Sequence, residues 1–235
     1  KYVYQNIKKD VHLSSISGGT DIVSCFVLGN IYQPVHMGEI QNKGLALNVD
    51  IFNDKGKPIK NSKGELVCKN PFPSMPLKFW NDKNDNKFKD AYFDRFSNTW
   101  HHGDFAEIKE TRGFVIHGRS DTTLNPGGVR LGTAEIYSEV EKFKEIKESI
   151  VVGQSWDNDV RVVLFIVMNA KFYLTEDLLK KIKIQIRKNA SPRHVPSKVI
   201  VVKDIPRTKS GKIVELAVKN TIEGNNIKNK EALAN

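Results

Sequence analysis

The pattern of apolar residues changes character near residue 119, and this change constrains the fold more than any single motif. Before it, apolar segments are short and rich in β-branched or aromatic residues, as in Val11–Ile16, Ile22–Leu28, Leu45–Phe52, Glu65–Cys68 and Gly113–His117. Turn residues separate them, and Asn53-Asp-Lys-Gly56 is a strong turn joining two of the segments. Residues 80–100 mix Asn, Asp and Lys with aromatics and read as an extended loop region. Beyond residue 119 the spacing becomes helical in places. Thr133 is expected to cap a helix with Ile136, Val140 and Phe143 on one face and Glu135 in its first turn. Val160–Met168 is a nearly continuous run of β-formers, suited to a central strand. Thr175 opens a second amphipathic helix through Leu178, Leu179, Ile182 and Ile186; Lys198–Val202 reads as a strand and Val214–Lys219 as a short helix. The polar tail from Gly224 onward is expected to be loose. These signals describe a β-rich piece over 1–119 followed by a small α+β domain over 120–235, within the broad α/β class.

A chain of 235 residues suits one large or two modest domains, and 39% hydrophobic residues are enough for a real core. No apolar run reaches the roughly 18 to 20 residues that span a bilayer, so no membrane partner is expected. The chain starts at Lys1 without a signal-peptide pattern or a starting Met, which reads as a fragment or processed product. Cys25 and Cys68 lack CxxC spacing and sit among apolar neighbours, as buried thiols in a reducing cytosol do. The net charge of +10 suits nucleic acid, an anionic membrane or a phosphate-rich small molecule. The basic residues are scattered, however, as on a solvated surface. No RNP-like, zinc-finger or helix-turn-helix pattern supports nucleic-acid binding. The adjacent His101 and His102 make poor chelate geometry for a metal.

Four stretches carry chemistry. Ser15-Ile-Ser-Gly-Gly-Thr-Asp21 puts two glycines beside a hydroxyl and a carboxylate, where backbone N–H groups can approach a ligand and a Thr-Asp pair can hold a hydrated cation. Ordinary strand-end turns look similar. Trp100-His-His-Gly-Asp104 offers a carboxylate able to take two hydroxyls in a fork, or to close a turn on its own backbone. Gly118-Arg-Ser-Asp-Thr-Thr-Leu-Asn-Pro-Gly-Gly-Val-Arg130 has the glycines of a mobile joint and arginines able to reach phosphates. Further on, Pro206-Arg-Thr-Lys-Ser-Gly-Lys212 is not a phosphate-cradling Walker loop, because Pro206 stands where Gly is required. It presents a lysine to an anion, or is a solvated turn.

In their order and spacing these motifs together resemble the adenylate-forming acyl-CoA ligases. The wording of Gly118–Tyr137, of Ser15–Ile22, of Phe79-Trp-Asn-Asp82 and of Ala91-Tyr-Phe93 is most similar to the acetoacetate-activating branch. The resemblance runs over nearly the whole chain. It implies an enzyme that turns acetoacetate and ATP into an acyl-adenylate and then transfers the acyl group to coenzyme A. The chain would comprise the β-rich end of the large adenylate-forming domain followed by a small mobile α+β lid.

Carried over residue by residue, the resemblance implies that Ser17, Gly18, Gly19, Thr20, Asp21, Asp104, Arg119 and Arg130 contact the nucleotide. Asp104 would bind the ribose hydroxyls with help from Arg119, and Thr20 and Asp21 would sit near Mg²⁺. Many relatives carry Glu where Asp21 stands. Asp121 would be the hinge whose φ/ψ change swings the lid. Lys212 would stabilise charge during adenylation. Gly127 and Gly128 would line the pantetheine channel of CoA, and Arg187 would meet a CoA phosphate. Acetyl-activating relatives carry a tryptophan where Gly18 stands, so glycine implies room for a longer acid. The family's phosphate-binding loop has no equivalent here, so an upstream large domain of the same polypeptide is the expected partner, in the cytosol. The alternative is a non-catalytic remnant that binds adenylate or CoA.

Overall fold

In the computed structural model, which describes residues 2–227 and 230–235, the chain divides between Ile116 and His117 into two units, Lys1–Ile116 and His117–Asn235. The division falls slightly before the boundary expected at 119/120.

The first unit opens with a short helix α1 (Tyr2–Asn6) and then builds two sheets. Strands β1 (Ser17–Gly19), β2 (Ser24–Leu28) and β3 (Asn42–Lys43) form an antiparallel three-stranded sheet in that order. Strands β4 (Val49–Phe52) and β5 (Gly64–Cys68) are followed by helix α2 (Asn86–Tyr92), then by β6 (Trp100–Ile108) and β7 (Phe114–Arg119). The four strands make a second sheet in the order β4-β5-β6-β7. Asn53 closes the turn after β4: its side-chain oxygen accepts from the Lys55 and Lys57 amides, each at 3.0 Å. Phe26, Ile51, Leu66, Trp100 and Phe114 are fully buried in the core.

Three expectations for this unit need correction. Val11–Ile16 forms no strand. Leu45 is exposed and Ala46 takes a positive φ of 62°, so β4 begins only at Val49. The expected loop over 80–100 contains α2. Its polar composition hides an i, i+4 pair, Phe88 and Tyr92, that faces Trp100; the Tyr92 ring stacks on the indole with centroids 3.7 Å apart. The Asp82 carboxylate accepts from the Lys87 and Phe88 amides at 3.1 and 2.9 Å and ties down the helix start. Nearby, the fully buried Glu65 carboxylate is held by Arg95 Nη1 at 3.0 Å and by His101 Nε2 at 2.7 Å.

The second unit orders helix α3 (Thr133–Val140), strands β8 (Ile146–Trp156) and β9 (Asp159–Met168), helix α4 (Glu176–Asn189), strand β10 (Lys198–Val201) and helix α5 (Glu215–Ile222). The sheet order is β10-β9-β8, so the apolar run at 160–168 is the central strand. β8 and β9 form an antiparallel hairpin through Asp157 and Asn158, both at positive φ (51° and 59°), as a two-residue turn matching strand twist requires. β10 returns parallel to β9 after the crossover by α4. Leu124, Ile136, Val140, Leu164, Ile166, Ile182 and Ile186 pack one core; Ile150, Val167 and Ile205 pack another with Val218 of α5.

Thr175 caps α4, accepting from the Leu178 amide at 3.2 Å. At α3 the cap is Gly132 rather than Thr133. A Cβ at position 132 would lie 2.3 Å from the His117 carbonyl, so the chain needs glycine there and Thr133 becomes the first helical residue. Of the tail expected to be loose, residues 228 and 229 lie outside the described residues, and its end is docked: the Ala234 amide donates to the Arg207 carbonyl at 2.8 Å, and Asn235 Oδ1 accepts from the Arg207 amide at 2.8 Å. No helix among the described residues is long and apolar enough to cross a membrane.

Candidate functional site

Each unit carries its own set of the residues singled out in the sequence. In the first, β1 and β6 bring Ser17, Gly18 and Asp104 together. Ser17 Oγ donates to Asp104 Oδ2 at 3.1 Å, and the buried Asp104 has His102 Nε2 3.8 Å from the same oxygen. His102 Nε2 also lies 3.1 Å from the Gly18 carbonyl. Alternation along β6 sends His101 to Glu65 instead, so the paired histidines serve different faces.

Gly18 allows a close approach. A bulge between Ser17 and Gly18 shifts the register, and a Cβ at 18 would sit 2.2 Å from the Ser24 carbonyl and 2.6 Å from Cys25 Cα. Any side chain there displaces the β2 backbone first, so a tryptophan substitution cannot isolate the acyl-pocket role inferred from the resemblance. Gly19 faces the His102 ring, 2.9 Å from the place of a Cβ.

Thr20 and Asp21 begin the turn that follows β1, where the Thr20 carbonyl accepts from the Val23 amide at 3.1 Å. The exposed Asp21 carboxylate accepts the Tyr92 phenol. Among the described residues no group of three His, Cys, Asp or Glu side chains is placed to hold a metal ion. One carboxylate and one hydroxyl do fit a Mg²⁺ that keeps its waters and is held chiefly by nucleotide phosphates.

In the second unit, Arg119 Nε and Asp121 Oδ1 stand 3.8 Å apart with both side chains half exposed. Arg130 reaches back to this joint: its Nε donates to Thr123 Oγ1 at 3.1 Å and its Nη2 to the Ser120 carbonyl at 3.3 Å. Paired amides of Leu124 and Leu131, at 2.9 and 2.8 Å, close the base of the intervening loop. At its tip Gly127 and Gly128 take positive φ of 59° and 73°. Asp159 accepts the Gly127 amide, while Arg193 Nη1 donates to the Gly127 carbonyl at 3.3 Å. The Val160 amide, then that of Gly127, hold the Asp159 carboxyl below the usual carboxylate range. The arginine that touches this loop is therefore Arg193; Arg187 lies exposed in the last turn of α4.

Lys212 sits in a small hairpin. The Thr208 amide donates to the Lys212 carbonyl at 2.8 Å, the Lys212 amide donates to Thr208 Oγ1 at 3.1 Å, and Gly211 turns the chain at φ +84°. Arg207 braces it, with Nη1 on the Gly211 carbonyl at 2.9 Å and Nη2 on Glu148 of β8 at 2.8 Å. The Lys212 side chain is exposed and makes no ion pair among the described residues.

Sequence reasoning missed Tyr92, His102, Asp159, Arg193 and Arg207. Asp159 and Arg193 carried a faint signal, one ending an Asp-Asn-Asp hairpin and the other following Pro192. The rest depend on pairings between distant segments.

Known proteins resemble this chain in sequence and in structure. Residues 135–212 match the AMP-binding enzyme C-terminal domain family. The chain is 63% identical over 234 residues to the acetoacetyl-coenzyme A synthetase of Rhizobium meliloti (strain 1021), covering 100% of this chain and 36% of that protein. It is 48% identical over 237 residues to the acetoacetyl-CoA synthetase of Gallus gallus, again covering all of this chain and 36% of the relative. The solved acetoacetyl-CoA synthetase from Streptomyces lividans superposes with a TM-score of 0.90 at 41% identity, over 96% of this chain and 34% of that one. The chain thus spans about a third of the length of the relatives it matches. Residues 135–212 thus belong to the AMP-binding enzyme C-terminal domain family, and along its whole length the chain is similar to the C-terminal part of acetoacetyl-CoA synthetases.

Proposed function

We propose that this chain is the C-terminal part of an ATP-dependent ligase that activates acetoacetate as an acyl-adenylate and passes it to CoA. The observation that carries the reading is Lys212, an exposed ammonium at a braced hairpin turn within the matched domain. A point charge brought to the reacting α-phosphate offsets negative charge as the carboxylate attacks. Asp104, pre-set by Ser17, would take the ribose hydroxyls, and Arg119 would assist. Mg²⁺, when bound near Thr20 and Asp21, would supply phosphate charge neutralisation. Asp121 would serve as the pivot between half-reactions, with Arg130 steadying the far side or meeting phosphate. In the CoA half-reaction the Gly127–Gly128 tip would border the pantetheine arm, because its bare backbone leaves room for a thin chain. Arg187 would meet a CoA phosphate.

The first unit supports an upstream partner domain. Tyr32, Met37, Leu45, Leu77 and Trp80 are each at least 90% exposed, many large apolar side chains in water for one small unit. Preceding chain would cover it and supply the phosphate-binding loop.

The test is acetoacetate-dependent pyrophosphate release from ATP-Mg²⁺. The chain alone is compared with a chimera that joins it to the upstream part of the Rhizobium meliloti relative. Activity in the chimera alone, reduced by about 10² to 10³ by Lys212→Ala, supports the reading. A silent chimera whose chain still binds ATP or CoA would favour a non-catalytic binding remnant.

A further inference from the structure

The hinge turn and the Lys212 hairpin lie far apart in sequence and meet at one carboxylate. Glu215 opens α5 just after Lys212. Its Oε2 accepts from Thr122 Oγ1 at 2.6 Å, and its Oε1 accepts from the Tyr137 phenol. The Tyr137 oxygen in turn accepts from the Val151 amide of β8 at 3.1 Å. Burial, reinforced by the adjacent Glu215, pushes the Tyr137 phenol far above its ordinary range, so it remains a proton donor. A carboxylate that takes two hydroxyls in a fork, one anchored to a buried strand, has little freedom left.

Exposure changes sharply on the hinge side of this fork. Thr122 is buried, 6% exposed, whereas the side chain of its neighbour Asp121 is 50% exposed and, among the described residues, faces only a 3.8 Å approach from Arg119. Each unanchored residue adds two soft dihedrals to a joint. A pivot that is to move a distant lysine without slack must therefore end abruptly in something rigid.

We propose that Glu215 is a positioning residue that makes Thr122 the first fixed residue beyond the pivot and ties the Lys212 segment to it. A φ/ψ change at Asp121 is then delivered to Lys212 undiminished. This rests on the proposed function in taking Asp121 as pivot and Lys212 as the adenylation lysine. The anchor itself rests only on the contacts above.

The experiment has two arms. Hydrogen exchange is followed in the chain, in Glu215→Gln and in Thr122→Val. The proposal expects amides of 120–124 and 211–215 to exchange at least about tenfold faster in both variants, with α4 amides such as Leu178 and Ile182 unchanged. Unchanged exchange in both variants overturns it. So does equal acceleration of α4 in both, which would make Glu215 a residue of general stability. In the chimera, Glu215→Gln and Thr122→Val should each lower kcat of acetoacetate-dependent ATP–pyrophosphate exchange by about tenfold. The KM for ATP should hold, and the double variant should be no worse than either alone. An active wild-type chimera with unaltered variants overturns the inference. A wild-type chimera without activity refutes the functional reading instead, and the exchange arm still decides the anchor.

Discussion

Asp159 holds the amide of Gly127 with both oxygens of its carboxylate, at 2.8 and 3.1 Å, and so fixes a left-handed glycine peptide from one side while Arg193 fixes it from the other. If the glycine tip borders CoA, its shape is set by these two side chains. Asp159→Ala should raise the KM for CoA by about tenfold, the size of one hydrogen bond to a charged group, and leave acetoacetate-dependent ATP–pyrophosphate exchange untouched. An equal loss in both half-reactions would show that the tip has no special relation to CoA.

Lys212→Ala carries the strongest expectation in the proposed reaction. Adenylation should fall by about 10² to 10³, with thermal unfolding of the chain unaltered because the ammonium is exposed and unpaired among the described residues. Retained adenylation in an active chimera would remove Lys212 from the mechanism.

Gly18→Ala should destabilise the first unit by about 1–3 kcal/mol, the usual cost of forcing atoms into a packed site. The new methyl would meet the Ser24 carbonyl at 2.2 Å. Urea denaturation with the same slope and midpoint as the parent would contradict the close approach of β1 and β2.

Glu139 lies buried and accepts from Lys142 Nζ at 2.6 Å, Gln185 Nε2 at 2.8 Å and Asn189 Nδ2 at 2.9 Å. Burial works to raise its carboxyl, but the hydrogen bonds, that of Lys142 foremost, hold it below the usual range. A folded-state value below the unfolded one means that the contribution is complete above about pH 4.3. It is lost as pH falls through the folded value. Glu139→Gln should thus cost about 1–2 kcal/mol near neutrality and progressively less below pH 4. A penalty constant from pH 7 to pH 3 would rule out the ionised carboxylate as its source.

Much of the fold was legible because side-chain periodicity reports burial directly. The run at 160–168 reads as central because, Arg161 apart, it is apolar on both faces, and Val162, Val163, Leu164, Ile166 and Val167 are all buried. Thr175 announced α4 because a hydroxyl ahead of an amphipathic stretch has one favourable use. The failures share a cause: a contact with a distant segment overrode the local signal. Thr133 has good capping chemistry, yet the approach of His117 demanded a glycine one residue earlier. The Asn- and Lys-rich stretch before Trp100 looked like a loop until Tyr92 found an indole to stack on. At the candidate site, motifs singled out Asp104, Asp121 and Lys212 as candidates. What holds them could not be read locally, because Ser17 lies 87 residues from Asp104 and Thr122 lies 93 residues from Glu215.

The docked tail has a practical side. Its contacts fall on Arg207, the residue that braces the Lys212 hairpin, and it is reached through the exposed residues 224–226. A single protease cut in that stretch would leave the core around Leu164 and Ile182 in place while unfastening the support of the hairpin. Material nicked there would still look folded by spectroscopy and elute as usual. An intact mass therefore has to be verified before a weak preparation is blamed on the chemistry of its lysine.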